Sequence, residues 1–225
     1  MALLMKYEDF LDRVNELGYM AFSNMLPGFP SLEEETPKEI WHTGDPDTDP
    51  WRWKDRAAEE KKLAFGCILG GHKGFVAARM YSEFYAACHM KESLEEKWVS
   101  GRVKQTTWQL WKLFEEKTLL DTGDIRREMG VTPKKGGNRV DTAIKELQQY
   151  YCITVAGSRR KTDKYGRPYG WPINIYDKVE NWAPAEWMKG VSELQPEEAK
   201  VRILEVGLAI GKNIDRNELA KKLGI

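Results

Sequence analysis

Residues 131–171 read VTPKKGGNRVDTAIKELQQYYCITVAGSRRKTDKYGRPYGW and form the centre of Gln105–Trp182, the segment whose pattern decides the fold. Four apolar residues in it recur at helical spacing and predict the buried face of a helix: Val140, Ile144, Leu147 and Tyr151. Asn138 is placed to cap this helix. Its opposite face is predicted to be polar, with Arg139, Thr142, Lys145, Gln148 and Gln149.

Two more helices and a hairpin surround this helix in the chain. Trp108–Phe114 predicts a first helix, and Gly123–Met129 a short second one that Asp121 caps and Gly130 ends. After the third helix we expect two strands and a long basic turn between them: Cys152–Ala156, Trp171–Tyr176 and Gly157–Gly170. Three helices followed by a basic hairpin are typical of a winged helix-turn-helix.

Charge is distributed unevenly along a chain whose formal net charge is zero. Residues 1–101 have a balance of −6, residues 102–182 a balance of +6, and residues 183–225 are neutral. Val131–Arg167 alone contains 9 basic and 3 acidic residues. A positive surface confined to the third helix and the hairpin favours a polyanionic partner, DNA above all.

The candidate DNA-binding residues lie on the turn before the third helix, on that helix and on the hairpin. The helix is expected to present side chains to base edges and the hairpin cations to phosphates. The candidates are Lys134, Lys135, Arg139, Thr142, Lys145, Arg159, Arg160, Lys161, Lys164 and Arg167. One alternative is a solvated surface hairpin in a winged helix that binds protein. Another is a non-catalytic transcriptional regulator.

The N-terminal part is predicted to be helical, with a long irregular loop. Helices are expected at Lys6–Gly18, from Trp51 or Trp53 to Phe65, and at Phe75–Cys88, with a turn at Gly66–Gly74. The loop, Tyr19–Pro50, contains five prolines. Three tryptophans at its end are candidate pocket walls: Trp41, Trp51 and Trp53.

Aspartates Asp45, Asp47, Asp49 and Asp55 accompany these tryptophans. One interpretation is that they build turns; the other is that one of them orients water beside an aromatic base pocket.

Two helices are predicted at the C-terminal end, Glu197–Ile210 and Asn217–Leu223, and Asp215 caps the second. They form a helix-turn-helix without a hairpin.

The fold class expected is therefore mainly α with small β-hairpin wings. It comprises an acidic N-terminal region (1–101), a winged helix-turn-helix (102–182) and a partial helix-turn-helix (183–225). Three widely spaced cysteines do not suggest a disulfide framework and favour a cytoplasmic location. No apolar run suggests a membrane span, and the spacing of His and Cys suggests neither a metal nor another cofactor.

Several motifs resemble the AlkZ-type (YcaQ-like) DNA glycosylases, in particular their shorter AlkZ-related relatives. They are Trp51-Arg-Trp-Lys-Asp-Arg56, Ala64-Phe-Gly-Cys-Ile-Leu-Gly70, Gly74-Phe-Val-Ala-Ala-Arg79 and Phe84-Tyr-Ala86. The resemblance implies tandem winged helices around a DNA channel and excision of alkylated or crosslinked bases without a metal.

The resemblance also implies a Gln-x-Gln motif, shortly after the first helix, that positions the hydrolytic water. At that position this chain has Ala21-Phe22-Ser23, so both glutamines are missing. Ser23 and Asp55 are the candidate catalytic residues that are left. The sequence thus predicts a winged-helix DNA-binding protein related to these glycosylases, and leaves open whether it excises bases.

Overall fold

The computed structural model describes residues 3–89, 93–132 and 134–225, and it is about half helical with two small three-stranded antiparallel sheets. In chain order the elements are α1 (Tyr7–Leu17), β1 (Tyr19–Ala21), α2 (Leu32–Glu35), α3 (Pro50–Glu59), β2 (Leu63–Leu69), β3 (His72–Ala77), α4 (Ala78–Cys88), α5 (Leu94–Val99), α6 (Gln105–Glu116), β4 (Leu120–Asp121), α7 (Thr122–Glu128), α8 (Gly137–Gln149), β5 (Ile153–Thr162), β6 (Pro168–Lys178), α9 (Val179–Trp182), α10 (Pro196–Ile210) and α11 (Arg216–Leu223).

Helix α1 follows the predicted pattern closely. Its apolar residues at helical spacing are buried: Tyr7, Phe10, Leu11, Val14 and Leu17. Gly18 ends the helix with a φ of +91°, a conformation that favours glycine, and its N–H donates to the carbonyl of Val14 at 2.8 Å.

The N-terminal region contains a sheet that the sequence analysis missed. Strands β2 and β3 form a hairpin closed by Gly70-Gly71, and β1 pairs with β3, giving the order β1-β3-β2. The helix predicted to reach Phe65 therefore ends at Glu59, and the helix predicted from Phe75 begins at Ala78. A short apolar run such as 63–69 fits a buried strand as well as a helix, and the Gly-Gly pair decides for the hairpin.

Aromatic packing places α1 and α3 on one face of this sheet. The ring of Phe10 lies 4.8 Å from Phe75 and 5.6 Å from Trp53, and Phe75 lies 5.1 Å from Phe65. Such ring pairs contribute beyond the area that they bury. They fix helix α3, with its tryptophans, against the sheet.

The middle of the chain forms the second sheet, with three helices around it. Strand β6 lies between β4 and β5, and all pairs are antiparallel. The predicted first and second helices are present as α6 and α7, and the side chain of Asp121 caps α7 by accepting the N–H of Asp124. We call β5, β6 and the turn between them the basic hairpin (residues 153–178).

The basic hairpin has longer strands than predicted. Pairing continues as far as Lys161 with Tyr169 and Thr162 with Pro168, so the turn comprises only residues 163–167 rather than Gly157–Gly170. The carboxylate of Asp163 closes this turn, since it accepts the N–H groups of Tyr165 at 2.8 Å and Arg167 at 3.0 Å. Side-chain capping of this kind allows a polar sequence to stay paired to its tip.

Helix α8 confirms the predicted buried face but differs at two positions. The residues Val140, Ile144, Leu147 and Tyr151 are buried. The helix begins after Gly136, whose φ is +89°, and Asn138 lies inside it without capping it. Gln148, predicted on the polar face, is only 3% exposed because it faces strand β2.

One hydrophobic cluster includes buried residues of α1, the N-terminal sheet, α6, α8 and β5. Across the predicted boundary at 101/102, the Trp182 indole donates to the carbonyl of Ala58 at 3.1 Å. The division into three domains stays a prediction. At the C-terminus, α10 and α11 form as expected, and Asp215 caps α11 by accepting from Asn217 and Glu218.

Candidate nucleic-acid interface

The turn before α8 and the start of that helix form the first part of the candidate interface. Lys134, Lys135 and Arg139 are all exposed there. Arg126 of α7 donates two hydrogen bonds to the carboxylate of Asp141, at 2.8 and 3.0 Å, and so fixes the angle between α7 and α8. The paired guanidinium is not available to a ligand, whereas the three exposed cations are.

A cleft of about 400 Å³ lies between the first turns of α6 and α8. All the lining residues are of polar type, although their carbon atoms form most of the lining surface: Lys104, Gln105, Thr106, Thr107, Asn138, Arg139 and Thr142. Neither helix has a side-chain cap. The first N–H groups of α6 keep their donor capacity, whereas in α8 the N–H of Arg139 donates to the carbonyl of Gly136 at 3.1 Å. Lys104 and Gln105 are not among the residues predicted from the sequence, although their position at the start of an amphipathic helix was a signal for them.

Two of the predicted hairpin cations are engaged inside the protein. Arg159 donates from Nε to Asp121 at 2.6 Å and from Nη2 to Asp124. Arg167 pairs with Asp163 at 2.9 Å. These contacts anchor the base of the basic hairpin to α7 and close its tip, so both arginines have a structural role.

Asp124, one of the two carboxylates that anchor this hairpin, has a lowered pKa. Burial alone would raise the pKa of Asp124, but hydrogen bonds from Arg127 and from the backbone of Asp121, together with the charge of Arg159, bring it below the ordinary value. The hydrogen bond to the Asp121 carboxylate, together with the charges of Asp121 and Asp124, raises the pKa of Arg159. The pair is therefore fully ionised at neutral pH.

Seven predicted cations are exposed and make no ion pair with any residue in the described ranges. We call them the seven free cations: Lys134, Lys135, Arg139, Lys145, Arg160, Lys161 and Lys164. Thr142, the remaining candidate, is exposed and its hydroxyl donates to the carbonyl of Asn138 at 2.8 Å. The structure thus separates the predicted set into structural and available cations.

The three predicted pocket tryptophans occupy different environments. Trp41 and Trp51 are half-buried around Phe22, at 5.7 and 6.0 Å between ring centroids. Trp51 also reaches the basic hairpin, where it lies 6.5 Å from Trp171. Trp53 is fully buried, stacks on Phe10 and donates to a loop carbonyl. Trp53 therefore belongs to the core rather than to a pocket wall.

The candidate catalytic residues do not share an accessible site. Ser23 is exposed, whereas Asp55 is 3% exposed and pairs with the ammonium of Lys54 at 2.5 Å. The second carboxylate oxygen of Asp55 is buried and has no hydrogen-bond partner within the described part of the chain. Burial lowers the pKa of Lys54, although the neighbouring carboxylate opposes that change.

The other aspartates of the loop build turns, as the first of the two interpretations of the sequence expects. Asp49 accepts N–H groups of His42 at 3.0 Å, Gly44 at 2.9 Å and Trp51 at 2.9 Å. Asp45 accepts the N–H of Asp47 at 2.8 Å. These bonds fold the loop back onto the start of α3 and hold Trp51 toward the basic hairpin.

The fold and this surface define an α-rich protein with two antiparallel sheets and a basic face on the second one. Residues 4–224 match the model of the AlkZ-related family, and the chain belongs to that family. No curated protein and no solved structure matches it. In the described residues, no helix is both long enough and apolar enough for a transmembrane span.

Proposed function

We propose that the chain binds duplex DNA through residues 105–178, folded as a winged helix-turn-helix. The order α6, β4, α7, α8, β5, β6, with β6 in the middle of its sheet, supports this assignment. In such a module the third helix, here α8, enters the major groove and the hairpin, here β5–β6, lies along the backbone. Membership of the AlkZ-related family favours the same partner.

The distribution of the seven free cations is the observation that carries the proposal. Four arginines of the same segment have acidic partners: Arg126, Arg127, Arg159 and Arg167. The free ones are left on the turn, on α8 and on the basic hairpin. The exposed, unpaired cations of this face repel one another, and the phosphates of a polyanion neutralise them. Release of the polyanion's condensed counterions adds to the free energy of binding.

Each part of the surface suits a different contact. Arg139 and Thr142, in the first turns of α8, are suited to base edges, with Arg139 able to bind guanine through two hydrogen bonds. Lys134, Lys135 and the hairpin cations are suited to phosphates. The cleft at Lys104 adds two helix N-termini, which favour an anionic oxygen.

We also propose a reducing, cytoplasmic setting for this activity. Cys67, Cys88 and Cys152 are free thiols. Burial raises the pKa of each of them, to about 12 for Cys88 and Cys152. Thiols of this kind stay protonated and unreactive.

A matched pair of double variants tests the proposal. Arg160→Ala with Lys161→Ala removes two free cations, and Lys189→Ala with Lys221→Ala removes two exposed lysines outside the surface. By fluorescence anisotropy on duplex DNA, the first pair is expected to weaken binding about tenfold and the second to leave it unchanged. Absence of duplex binding by the wild type at low salt overturns the proposal in favour of a protein-binding module.

Base excision is the second candidate, favoured by the family assignment and by the unpartnered oxygen of Asp55. Incubation with alkylated duplex DNA tests it through the release of free base. Release that is lost in Ser23→Ala or in Asp55→Asn of normal stability would locate the reaction. Tight binding without release would identify a non-catalytic DNA-binding protein.

A further inference from the structure

The exposed aromatic rings of the described residues are concentrated in the basic hairpin. Tyr165, Tyr169 and Trp171 are 68%, 53% and 66% exposed. The other large apolar residues exposed in the described ranges are aliphatic and scattered: Leu3, Met5, Val99, Leu119 and Val201. Three rings in seven residues keep a large apolar area in water, which indicates an interaction surface.

These rings are held in place by the surrounding structure. The carboxylate of Asp163 organises the tip next to Tyr165, and strand pairing sets Tyr169 opposite Lys161. Trp171 makes edge-to-face contacts with two rings of the N-terminal region, His42 of the loop at 5.6 Å and Trp51 of α3 at 6.5 Å. A ring that is supported on one side and open on the other is ready to stack on a ligand.

Positive charge lies among the rings. The Lys164 ammonium is 4.9 Å from the centroid of Tyr165, and Lys161 is a free cation on the strand opposite Tyr169. Arg160, next to Lys161 in the sequence, is also a free cation. Alternating rings and cations match a ligand that offers flat faces and phosphates together, which is a nucleic acid with unstacked bases. A fully paired duplex offers only base edges in its grooves.

We propose that the basic hairpin binds unpaired bases, in a single strand or in a distorted duplex, by stacking them on Tyr165, Tyr169 and Trp171. This inference rests on the proposed DNA binding and specifies its substrate class. The free cations of the hairpin hold the phosphates of the same nucleotides. The rings, by contrast, distinguish unpaired from paired DNA.

Fluorescence anisotropy with the full chain and two DNAs tests this inference. One DNA is a fully paired duplex, and the other is the same duplex with a central mismatch bubble. The wild type is expected to bind the bubble about tenfold tighter, since stacking of even one base on an aromatic ring has that effect. A 2-aminopurine in the bubble is expected to lose fluorescence on binding, which reports stacking itself.

Variants separate the rings from the charges. Tyr169→Leu with Trp171→Leu keeps apolar side chains at both positions but removes the rings, and is expected to abolish the preference while paired duplex is bound as before. Trp171→Phe is expected to retain most of the preference. Arg160→Ala with Lys161→Ala is expected to weaken binding of both DNAs by the same factor. The residues are exposed, and an unchanged melting temperature checks that each variant is folded.

The possible failures are distinguishable. Equal affinity of the wild type for both DNAs overturns the stacking proposal and leaves duplex binding intact. No binding of either DNA overturns both. Binding to anionic phosphatidylserine vesicles that requires Trp171, without a preference for the bubble, overturns it in favour of a membrane surface, where Trp, Tyr and Lys are also enriched.

Discussion

Gln148 joins two parts of the molecule through its side-chain amide. Its oxygen accepts the N–H of Cys67 in β2 at 3.0 Å, and its nitrogen donates to the carbonyl of Ile144 at 3.2 Å. Gly66 has to be glycine next to it, because a Cβ there would overlap the amide oxygen. A buried polar side chain with both ends satisfied fixes the position of α8 on the N-terminal sheet.

Gln148→Leu is expected to destabilise the protein by about 1–3 kcal/mol, because it leaves the N–H of Cys67 buried without a partner. Urea denaturation measures the loss. Gln149→Leu, at the half-exposed neighbouring position, is the control and is expected to change the free energy of unfolding by less than about 0.5 kcal/mol. Equal effects of the two substitutions would show that the amide does not connect α8 to β2.

Asp55 is the partner of a buried ammonium, and its removal has a predictable cost. Asp55→Asn leaves the charge of Lys54 buried and uncompensated, so a loss of about 3–5 kcal/mol is expected. Replacing both residues, Lys54→Met with Asp55→Leu, is expected to recover most of that loss. Thermal or urea denaturation measures the stability of both variants. Wild-type stability of Asp55→Asn would contradict the structural role and favour a catalytic one.

Adjacent residues in the sequence have different roles that their types do not reveal. Arg159 and Arg160 are the same residue type in the same strand, yet one is bound by Asp121 and Asp124 and the other is free. Likewise, Gln148 is buried and bonded to β2, whereas its neighbour Gln149 is half-exposed. The sequence correctly predicted where the positive charge is concentrated, but the partners of Arg159 lie 35 and 38 residues away in the chain and depend on the tertiary fold.

At the scale of elements, the basic hairpin depends on its anchor to α7. Arg159→Ala removes both contacts to that helix and is expected to lower the stability by at most about 1 kcal/mol, since the guanidinium is half exposed. Arg160→Ala is expected to leave the melting temperature unchanged and to weaken duplex binding. Thermal denaturation and anisotropy on both variants measure these effects. A loss of stability in Arg160→Ala but not in Arg159→Ala would contradict the structural role of Arg159.

The predictability of the elements follows from their periodicity. Helix α8 was predictable because its apolar residues recur over three turns, and α7 because Asp121 caps it. The N-terminal hairpin was not, because the apolar run 63–69 shows no clear period. The strands of the basic hairpin were predicted too short because their tips are polar, and pairing across β6 rather than hydrophobicity extends them.

At the scale of the whole molecule, the acidic and basic halves of the chain share a core. Helix α3 packs on β5, and Trp51 supports Trp171 from the other half. The sequence indicated an acidic region and a basic one but not their contact, because such packing joins residues more than one hundred positions apart. The N-terminal region thereby contributes to the candidate interface through the rings of His42 and Trp51 rather than through a separate pocket.

The salt dependence of duplex binding shows whether the free cations contact phosphates. If the free cations other than Arg139 contact phosphates, the logarithm of the association constant is expected to fall with the logarithm of the salt concentration with a slope of about −5. Arg160→Ala with Lys161→Ala is expected to reduce the steepness by about 2, one for each phosphate contact that is lost. A slope near zero, or no binding of duplex DNA at low salt, would contradict the assignment of this surface to DNA.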